Sequence, residues 1–493
     1  MALLAKYLHK NISARKAQRM LSTSSLCRLS ASEIANLIRS KQVSPVEVVK
    51  EYIARIESVN PMLNAFADFS PERALAAARR AESMLMSGDD RPLLGVPLTI
   101  KSCIDVQGLR CEAGSRLRSG YIATQDAILV ARLKRAGAIV IGNTTTPELL
   151  MAYHTESEVH GRTNNPWDLG RTPGGSSGGE AAAIASCMSA GGFGSDGGGS
   201  IRVPAHFTGI CGLKPTSGRI PATGHYPACA GPFSLIGVVG PMARTVKDLQ
   251  LLFALTEGYD PGDPASVPAP AAKDPYATRN LRIGFYDSDG ETSPTPETST
   301  AVQSAALALQ DGGFYVEPFR PEGLVQAREL WSTIFVQAGA LALEPLVRER
   351  AHEISPNLRE FMALAAQHPI LTAQKFLNAL VERDQLCSRM ESQMKDFPIL
   401  LTPVSSTPAF LHEHAGWGAA HPADYFRTMT YCQHFNLLGN PAVTVPIGQS
   451  AEGLPIGVQV VGRRYRENEV LAVAEFLNEQ FKWKEPPLSG ARP

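Results

Sequence analysis

A serine that follows three glycines is the first candidate for chemistry in this chain. Ser200 comes directly after Gly197, Gly198 and Gly199, so a row of backbone N–H groups stands there with no side chain to screen it. Such a row can bind the oxyanion that forms when a hydroxyl group attacks a carbonyl carbon. Ser200 is therefore a candidate nucleophile, with the N–H groups of residues 197 to 200 as its oxyanion hole.

A base and a second hydroxyl group come from two upstream segments. Lys101 follows the apolar run 94–100, and Ser176 and Ser177 lie in a Gly-Gly-Ser-Ser-Gly-Gly loop. A serine hydroxyl is a weak nucleophile that needs a base, and lysine is a base only when it is neutral. Lowering a lysine pKa from about 10.4 to about 7.5 destabilises its cation by about 4 kcal/mol, which burial behind an apolar strand can supply.

Two glycine motifs resemble known signatures but lack the context those signatures need. Residues 174–178 match Gly-x-Ser-x-Gly, yet a nucleophile elbow follows a strand and residues 164–173 have the composition of a loop. Residues 192–197 match the dinucleotide pattern Gly-x-Gly-x-x-Gly, yet a small-residue helix is predicted before them and Pro204 follows soon after. The second segment is expected instead to be braced by a local ion pair between Asp196 and Arg202.

Composition narrows the function classes. The chain has 493 residues, with 47 basic and 47 acidic side chains, so it has no basic field for nucleic acid. Its eight cysteines form no C-x₂-C pair, which favours reduced thiols in a cytosol-like compartment and no metal site. The chain contains no run of about 18 uncharged apolar residues, so the sequence predicts no helix that spans a membrane. We expect a cytoplasmic protein with no cofactor and no stable membrane insertion.

The first 29 residues differ from the rest of the chain. They are basic and rich in serine, and no acidic residue occurs before Glu33. This pattern is typical of an organellar transit peptide, although a frayed extension and a helix lying on a membrane surface have the same composition. Organellar targeting therefore stays open as an alternative.

From residue 30 onward, predicted helices and strands alternate. Ser30 and Ser44 each stand three residues before a glutamate, which is the capping-box pattern of a helix start. Periodicity and flanking Gly and Pro residues predict strands at 94–100, 138–141, 281–285, 399–401, 442–445 and 457–461, and helices at 71–86, 126–136, 180–188 and 296–309. This alternation predicts an α/β protein with one sheet built from both halves of the chain.

The predicted organisation is an extension at 1–29, one domain at 30–480 and a tail at 481–493. Within the domain we expect a helical layer at 30–90, a catalytic core at 91–255, a Pro/Gly-rich loop at 256–280, a variable helical cap at 320–396 and a return to the core at 397–480.

These motifs together resemble the amidase signature family over roughly residues 30–480. The resemblance rests on the Gly-Gly-Ser-Ser-Gly-Gly and Gly-Gly-Ser-Ile-Arg blocks, with Ser176 at position 75 after Lys101 and Ser200 at position 24 after Ser176. It implies one large mixed β-sheet with helices on both faces. It also implies that Ser200 is acylated, that Ser176 follows a cis peptide bond and relays a proton, and that Lys101 is the base, with Ser177, Asp196 and Arg202 in support.

The chain departs from the family pattern at two places near these residues. Ser102 and Cys103 follow the lysine where most members carry an acid, and Gly197 stands where threonine or isoleucine is common. We interpret Cys103 as a packing residue. The departures concern the tuning of the base and of the oxyanion loop, not the class of reaction.

The resemblance implies a hydrolase of small-molecule amides, with aryl amides, fatty amides and carbamates as candidate substrates and with side esterase activity. The alternative is the glutaminase subunit of a tRNA-dependent amidotransferase. Members of that group carry an aspartate near the position that Met429 occupies here, which disfavours glutamine. A non-catalytic scaffold is disfavoured because all three catalytic positions are filled. A homodimer stays open.

Overall fold

The computed structural model describes residues 26–268, 281–414 and 422–487. Its strands are β1 Phe66–Phe69, β2 Pro97–Lys101, β3 Ile139–Thr144, β4 Glu156–Ser157, β5 Gly161–Arg162, β6 Gly191–Asp196, β7 Cys211–Lys214, β8 Val238–Ala243, β9 Arg282–Phe285, β10 Tyr315–Pro318, β11 Ile399–Pro403, β12 Ala442–Gln449 and β13 Pro455–Gly462.

Helices surround these strands along the whole chain. The α-helices are α1 Ala31–Arg39, α2 Pro45–Leu63, α3 Pro71–Met86, α4 Ile128–Arg135, α5 Gly178–Ala185, α6 Arg202–Thr208, α7 Val246–Thr256, α8 Pro296–Asp311, α9 Leu324–Trp331, α10 Ala338–Val347, α11 Pro356–Gln367, α12 Ala373–Gln393, α13 Pro422–Arg427, α14 Thr430–Leu437 and α15 Glu467–Gln480. A π-helical turn, Ser332–Gln337, joins α9 to α10.

Eleven strands form one mixed sheet in the order β1-β3-β2-β6-β8-β7-β12-β13-β11-β9-β10. The strands β3, β2 and β6 run parallel at one side, as do β11, β9 and β10 at the other. In the middle of the sheet, from β6 through β8, β7, β12 and β13 to β11, each pair of neighbouring strands is antiparallel. The predicted single sheet, with strands from both halves of the chain, is confirmed.

Both faces of this sheet are buried under helices. Alternate residues of one strand point to opposite faces. In β11, Ile399 and Leu401 join the core cluster that also holds side chains of α2, α3, α7 and α15, whereas Leu400 joins the cluster formed by α9 to α14. The fold class is therefore as predicted, an α/β sheet covered on both faces.

Local helix signals in the sequence are present in the structure. The side chains of Ser30 and Ser44 each accept a hydrogen bond from the backbone N–H of the glutamate three residues later. The backbone N–H of each serine donates in return to that glutamate's carboxylate, which completes both capping boxes. The strand predicted at 94–100 begins only at Pro97, because Gly95 adopts a φ of 79° in the turn before it. Packing begins before the predicted domain boundary, since Cys27 is already buried.

The predicted helical cap at 320–396 consists of α9, the π turn, α10, α11 and α12. One stretch in it, Leu324–Arg350, is long and apolar enough by composition to cross a membrane, but 56% of its most apolar window is buried inside the fold. Residues 1–25 of the predicted basic extension lie outside the described residues. Residues 269–280 of the predicted Pro/Gly-rich loop also lie outside them.

Candidate active site

Lys101 is the last residue of β2, at the edge where two parallel strands end together. Since β2 and β6 are parallel neighbours, the carboxyl end of β6 brings Ser195 beside Lys101. The Lys101 ammonium is completely buried and donates to Ser176 Oγ at 2.6 Å and to Ser195 Oγ at 3.1 Å. Burial lowers the pKa of Lys101 to about 8, while the nearby Cys103, Asp196 and Glu180 act in the opposite direction.

Ser176 lies in the loop that leads into α5, and no strand ends directly before it, as expected from the composition of residues 164–173. The Gly175–Ser176 peptide bond is cis. Thr146 Oγ1 donates to the Ser176 carbonyl at 2.9 Å. A Cβ atom at Gly175 would lie 2.6 Å from the carbonyl oxygen of His154, so the loop can approach this closely only with glycine there.

Ser200 lies in the turn between β6 and α6. It is 9% exposed, and it lines the same cavity as Ser176. The two serine loops are joined through their backbones, because the Ser177 N–H donates to the Ser200 carbonyl at 3.1 Å. The Ser177 hydroxyl also donates to the Ser195 carbonyl at 3.3 Å. Lys101, Ser176 and Ser200, predicted from distant segments, are thus brought to one site.

A buried ion pair holds the turn that carries Ser200. Asp196 and Arg202 have no exposed side-chain surface, and Arg202 Nε lies 3.1 Å from Asp196 Oδ2. The Asp196 carboxylate also accepts from the backbone N–H groups of Gly199 and Ile201 at 2.7 and 3.1 Å. Burial alone would raise the pKa of Asp196, but the Arg202 guanidinium outweighs it and holds that pKa well below its usual range.

The geometry separates the four predicted oxyanion donors into two kinds. The Gly199 N–H is already bonded to Asp196, so it is not free to face a substrate oxygen. Within the described residues, the N–H groups of Gly197, Gly198 and Ser200 make no hydrogen bond to protein. These three N–H groups therefore remain available as hydrogen-bond donors.

Several residues of this site were not predicted from sequence. Glu180 of α5 is completely buried and accepts from Thr99 Oγ1 at 2.5 Å and from Thr144 Oγ1 at 2.7 Å. Burial raises the pKa of Glu180 to about 8. Asn436 of α14 contacts both members of the ion pair, as its amide group donates to Asp196 and accepts from Arg202. An acid in an alanine-rich helix was the only sequence signal for Glu180.

A thiol and an imidazole lie beside the lysine. Cys103 is fully buried, and its Sγ is 3.7 Å from Ser195 Oγ and 3.4 Å from His225 Nε2. The opposite ring nitrogen, Nδ1, donates to the Pro227 carbonyl at 2.8 Å. Cys103 is therefore buried, and it contacts the serine that accepts a hydrogen bond from Lys101.

Two cavities meet at Ser200. The first is lined by Ser176, Ser195 and Ser200 and mostly by apolar side chains, including Leu149, Met151, Phe233, Val238 and Phe335. The second is lined by aromatic side chains, namely Phe335 and Phe361 of the cap, Phe426 of α13 and Tyr153 of the loop before β4. The titratable groups among the lining residues are Asp196, His225, Cys229 and Tyr153, and Asp196 is paired with Arg202.

This arrangement is suited to the attack of a serine hydroxyl on a carbonyl carbon. The Ser200 hydroxyl lies at an apolar cavity, and N–H groups with no described protein partner lie next to it. The buried Lys101, whose pKa is lowered, contacts Ser176, which lines the same cavity. Within the described residues, no group of three or more His, Cys, Asp or Glu side chains could hold a metal ion.

Comparison with known proteins gives consistent matches along nearly the whole chain. A protein-family model described as Amidase matches residues 47–471. The chain is 32% identical to a glutamyl-tRNA(Gln) amidotransferase subunit from Geobacter sp. (strain M21), over 93% of this chain and 99% of that protein. It is 33% identical to an indoleacetamide hydrolase of Bradyrhizobium diazoefficiens, over 92% and 86%. A solved 6-aminohexanoate cyclic dimer hydrolase complexed with substrate has a TM-score of 0.83 and 30% identity, over 95% and 100%.

Proposed function

Since the chain belongs to the amidase family, the amidase signature enzymes, and is a hydrolase of C–N amide bonds, we propose that it cleaves uncharged amides or carbamates through an acyl-Ser200 intermediate. Lys101 is the base, Ser176 the relay and Ser200 the nucleophile. The observation that carries the proposal is the contact of 2.6 Å between the buried Lys101 ammonium group and Ser176, which lines the same cavity as Ser200.

Acylation begins when neutral Lys101 takes the proton of Ser176 as Ser176 takes that of Ser200. The Ser200 oxygen then bonds to the substrate carbonyl carbon, and the N–H groups of Gly197, Gly198 and Ser200 bind the oxyanion. When the tetrahedral intermediate collapses, the C–N bond breaks. The leaving nitrogen receives the proton back from Lys101 through Ser176.

Deacylation uses the same groups in reverse order. A water molecule takes the position of the departed amine and gives its proton to Lys101 through Ser176. The resulting hydroxide attacks the acyl carbon, and Ser200 leaves as its hydroxyl regains the proton. No net charge is left on the enzyme after a turnover, so the cycle needs no further acid or base.

The walls of the two cavities support apolar substrates. Phe233 and Phe335 line the first cavity and Phe361 and Phe426 line the second, so an aromatic or aliphatic group on either side of the scissile bond would be buried. Burial of such a group contributes about 25 cal/mol per Å² of apolar surface. A carbamate fits the same scheme, because attack on its planar carbonyl gives the same oxyanion with an alkoxy oxygen beside it.

The second candidate function is the glutaminase component of an amidotransferase, which the similarity to the Geobacter protein favours. Free glutamine carries an ammonium and a carboxylate group, and each needs a partner of opposite charge. Asp196 already has such a partner in Arg202, and Met429 is buried in the apolar core. These observations support an uncharged substrate and an enzyme that works without tRNA, ATP, metal or a second kind of polypeptide.

A substrate panel tests this choice. The purified protein is assayed with a nitroanilide, an aryl carbamate, an activated ester and glutamine, each with and without EDTA. Hydrolysis of the anilide or carbamate, unaffected by EDTA and faster than that of glutamine, is expected. Glutamine as the best substrate, or activity lost to the chelator, would overturn the proposal.

A further inference from the structure

The nucleophile loop is held by its carbonyl groups. Four successive carbonyl oxygens, those of residues 196 to 199, each accept a hydrogen bond from a different part of the fold. The donors are, in order, Asn436 Nδ2 at 3.1 Å, Trp331 Nε1 at 2.8 Å, the Tyr153 hydroxyl at 2.8 Å and the Val203 N–H at 2.7 Å. Among these four, Trp331 alone comes from the helical cap.

Holding a carbonyl fixes the N–H group of the next residue. A trans peptide is planar, and its C=O and N–H point in opposite directions. The bond from Trp331 to the Gly197 carbonyl therefore aims the Gly198 N–H away from the indole. In the same way, Tyr153 and Val203 fix the directions of the Gly199 and Ser200 N–H groups.

Within the described residues, the peptide between Gly197 and Gly198 is held by a single hydrogen bond. The next peptide is bonded at both ends, because Tyr153 holds its carbonyl and Asp196 holds the Gly199 N–H. The Gly198 N–H has no protein partner within the described residues, so only the bond to Trp331 sets its orientation. Three successive glycines give this segment little stiffness of its own.

Trp331 is itself rigidly placed. It ends α9, is 2% exposed, and stacks on Phe335 of the π turn with ring centroids 4.8 Å apart and planes at 12°. The fit is tight enough to exclude side chains from the loop, since a Cβ atom at Gly198 would lie 2.6 Å from the indole. π-Helical turns of this kind occur frequently at functional sites. Phe335 lines both cavities, so the stack joins the substrate pocket to the loop.

We propose that Trp331 is a positioning residue of the oxyanion hole, which aims the Gly198 N–H through its hydrogen bond to the Gly197 carbonyl. The inference rests on the proposed function, because it assigns a role to a residue of the same site. It makes the variable cap part of the catalytic apparatus as well as a wall of the substrate pocket.

The test is Trp331→Phe, which removes the indole N–H and keeps an aromatic ring. Loss of a whole oxyanion donor costs about 10²–10³ in kcat, so loss of its orientation should lower kcat by about 10- to 100-fold, with KM changed less than threefold. Trp167→Phe is the matched control, since its indole also donates to a backbone carbonyl, that of Thr208, at 2.8 Å. The control should keep the kcat of the wild type. A folded Trp331→Phe enzyme with normal kcat would overturn the proposal.

A second comparison separates positioning from a general loss of packing. Tyr153→Phe removes a second of the three side-chain clamps, but Asp196 still holds that peptide, so kcat should fall less than in Trp331→Phe. Equal losses in the two variants would contradict the assignment. If Trp331→Phe does not fold, replacement of Trp331 by benzothienylalanine, which has sulfur in place of N–H, makes the same measurement.

A reaction that needs no amide substrate keeps this test independent of the proposed function. A fluorophosphonate labels a nucleophilic serine through an intermediate with a negatively charged oxygen, so its rate also depends on the oxyanion hole. Slower labelling of Trp331→Phe than of Trp167→Phe supports the clamp even if no amide in the panel is hydrolysed. Equal labelling rates would reject the clamp and leave the proposed function standing.

Discussion

The Nζ atom of Lys101 lies 2.6 Å from the Oγ atom of Ser176, and both side chains are almost completely excluded from solvent. At this distance a proton can pass directly between the two groups. Burial disfavours the ammonium form, which is why the lysine can act as a base near neutral pH.

The pH dependence of acylation should follow the titration of Lys101. Its pKa is lowered to about 8, so kcat/KM for an anilide should rise with pH as the lysine loses its proton and level off above about pH 8. Steady-state rates from pH 6 to 10 measure this. A profile that falls through the same range would mean that the charged lysine is the active form.

Replacing Lys101 by Met should lower amidase activity strongly and stabilise the fold. The pKa of the lysine falls from 10.5 unfolded to about 8 folded, so the native state opposes protonation. This penalty is fully present below pH 8 and fades as the pH rises to 10.5, and at neutral pH it amounts to about 3 kcal/mol. The increase in Tm of Lys101→Met over the wild type should therefore be larger at pH 7 than at pH 10.

Activity of the same variant separates amides from esters. Without the base, acylation by an anilide should fall by several powers of ten, since the leaving nitrogen must be protonated. An activated ester, whose leaving group needs no proton, should lose less. Near-normal anilide hydrolysis by Lys101→Met would show that the lysine is only structural.

Asp196→Asn should destabilise the protein strongly. It leaves the Arg202 guanidinium buried without its counter-charge, and breaking a buried pair typically costs about 3–5 kcal/mol. Chemical denaturation at pH 7 measures the loss. Glu158→Gln, which breaks the exposed pair with Arg116, is the control and should change stability by less than about 1 kcal/mol. Similar effects of the two substitutions would contradict the role given to Asp196.

Much of this site could be predicted because its residues lie in local motifs. The glycine loops around Ser176 and Ser200 and the apolar strand before Lys101 are visible in the sequence. Strand β6 was not predicted, since it contains three glycines, a residue type depleted in strands. Trp331, Asn436 and Glu180 were missed because their roles depend on contacts with distant segments, which no local pattern records.

Removal of residues 1–25 should leave activity unchanged, whereas removal of residues 1–30 should destabilise the fold. Arg244 donates to the carbonyl groups of Cys27 and Leu29 at 3.2 and 2.5 Å, and the longer truncation removes both acceptors from a buried guanidinium. Tm and anilide hydrolysis of the two truncated proteins make the comparison. A shorter truncation that folds but is inactive would contradict this expectation.

The central claim is that Ser200 is the group that carries the acyl chain. The most direct measurement is mass spectrometry of the protein after labelling with a fluorophosphonate, with Ser200→Ala and Ser177→Ala treated in parallel. The account predicts one adduct on Ser200, no adduct and no hydrolysis in Ser200→Ala, and labelling still at Ser200 in Ser177→Ala. An adduct on Ser176 or Cys103 in the wild type, or amide hydrolysis that persists in Ser200→Ala, would contradict it.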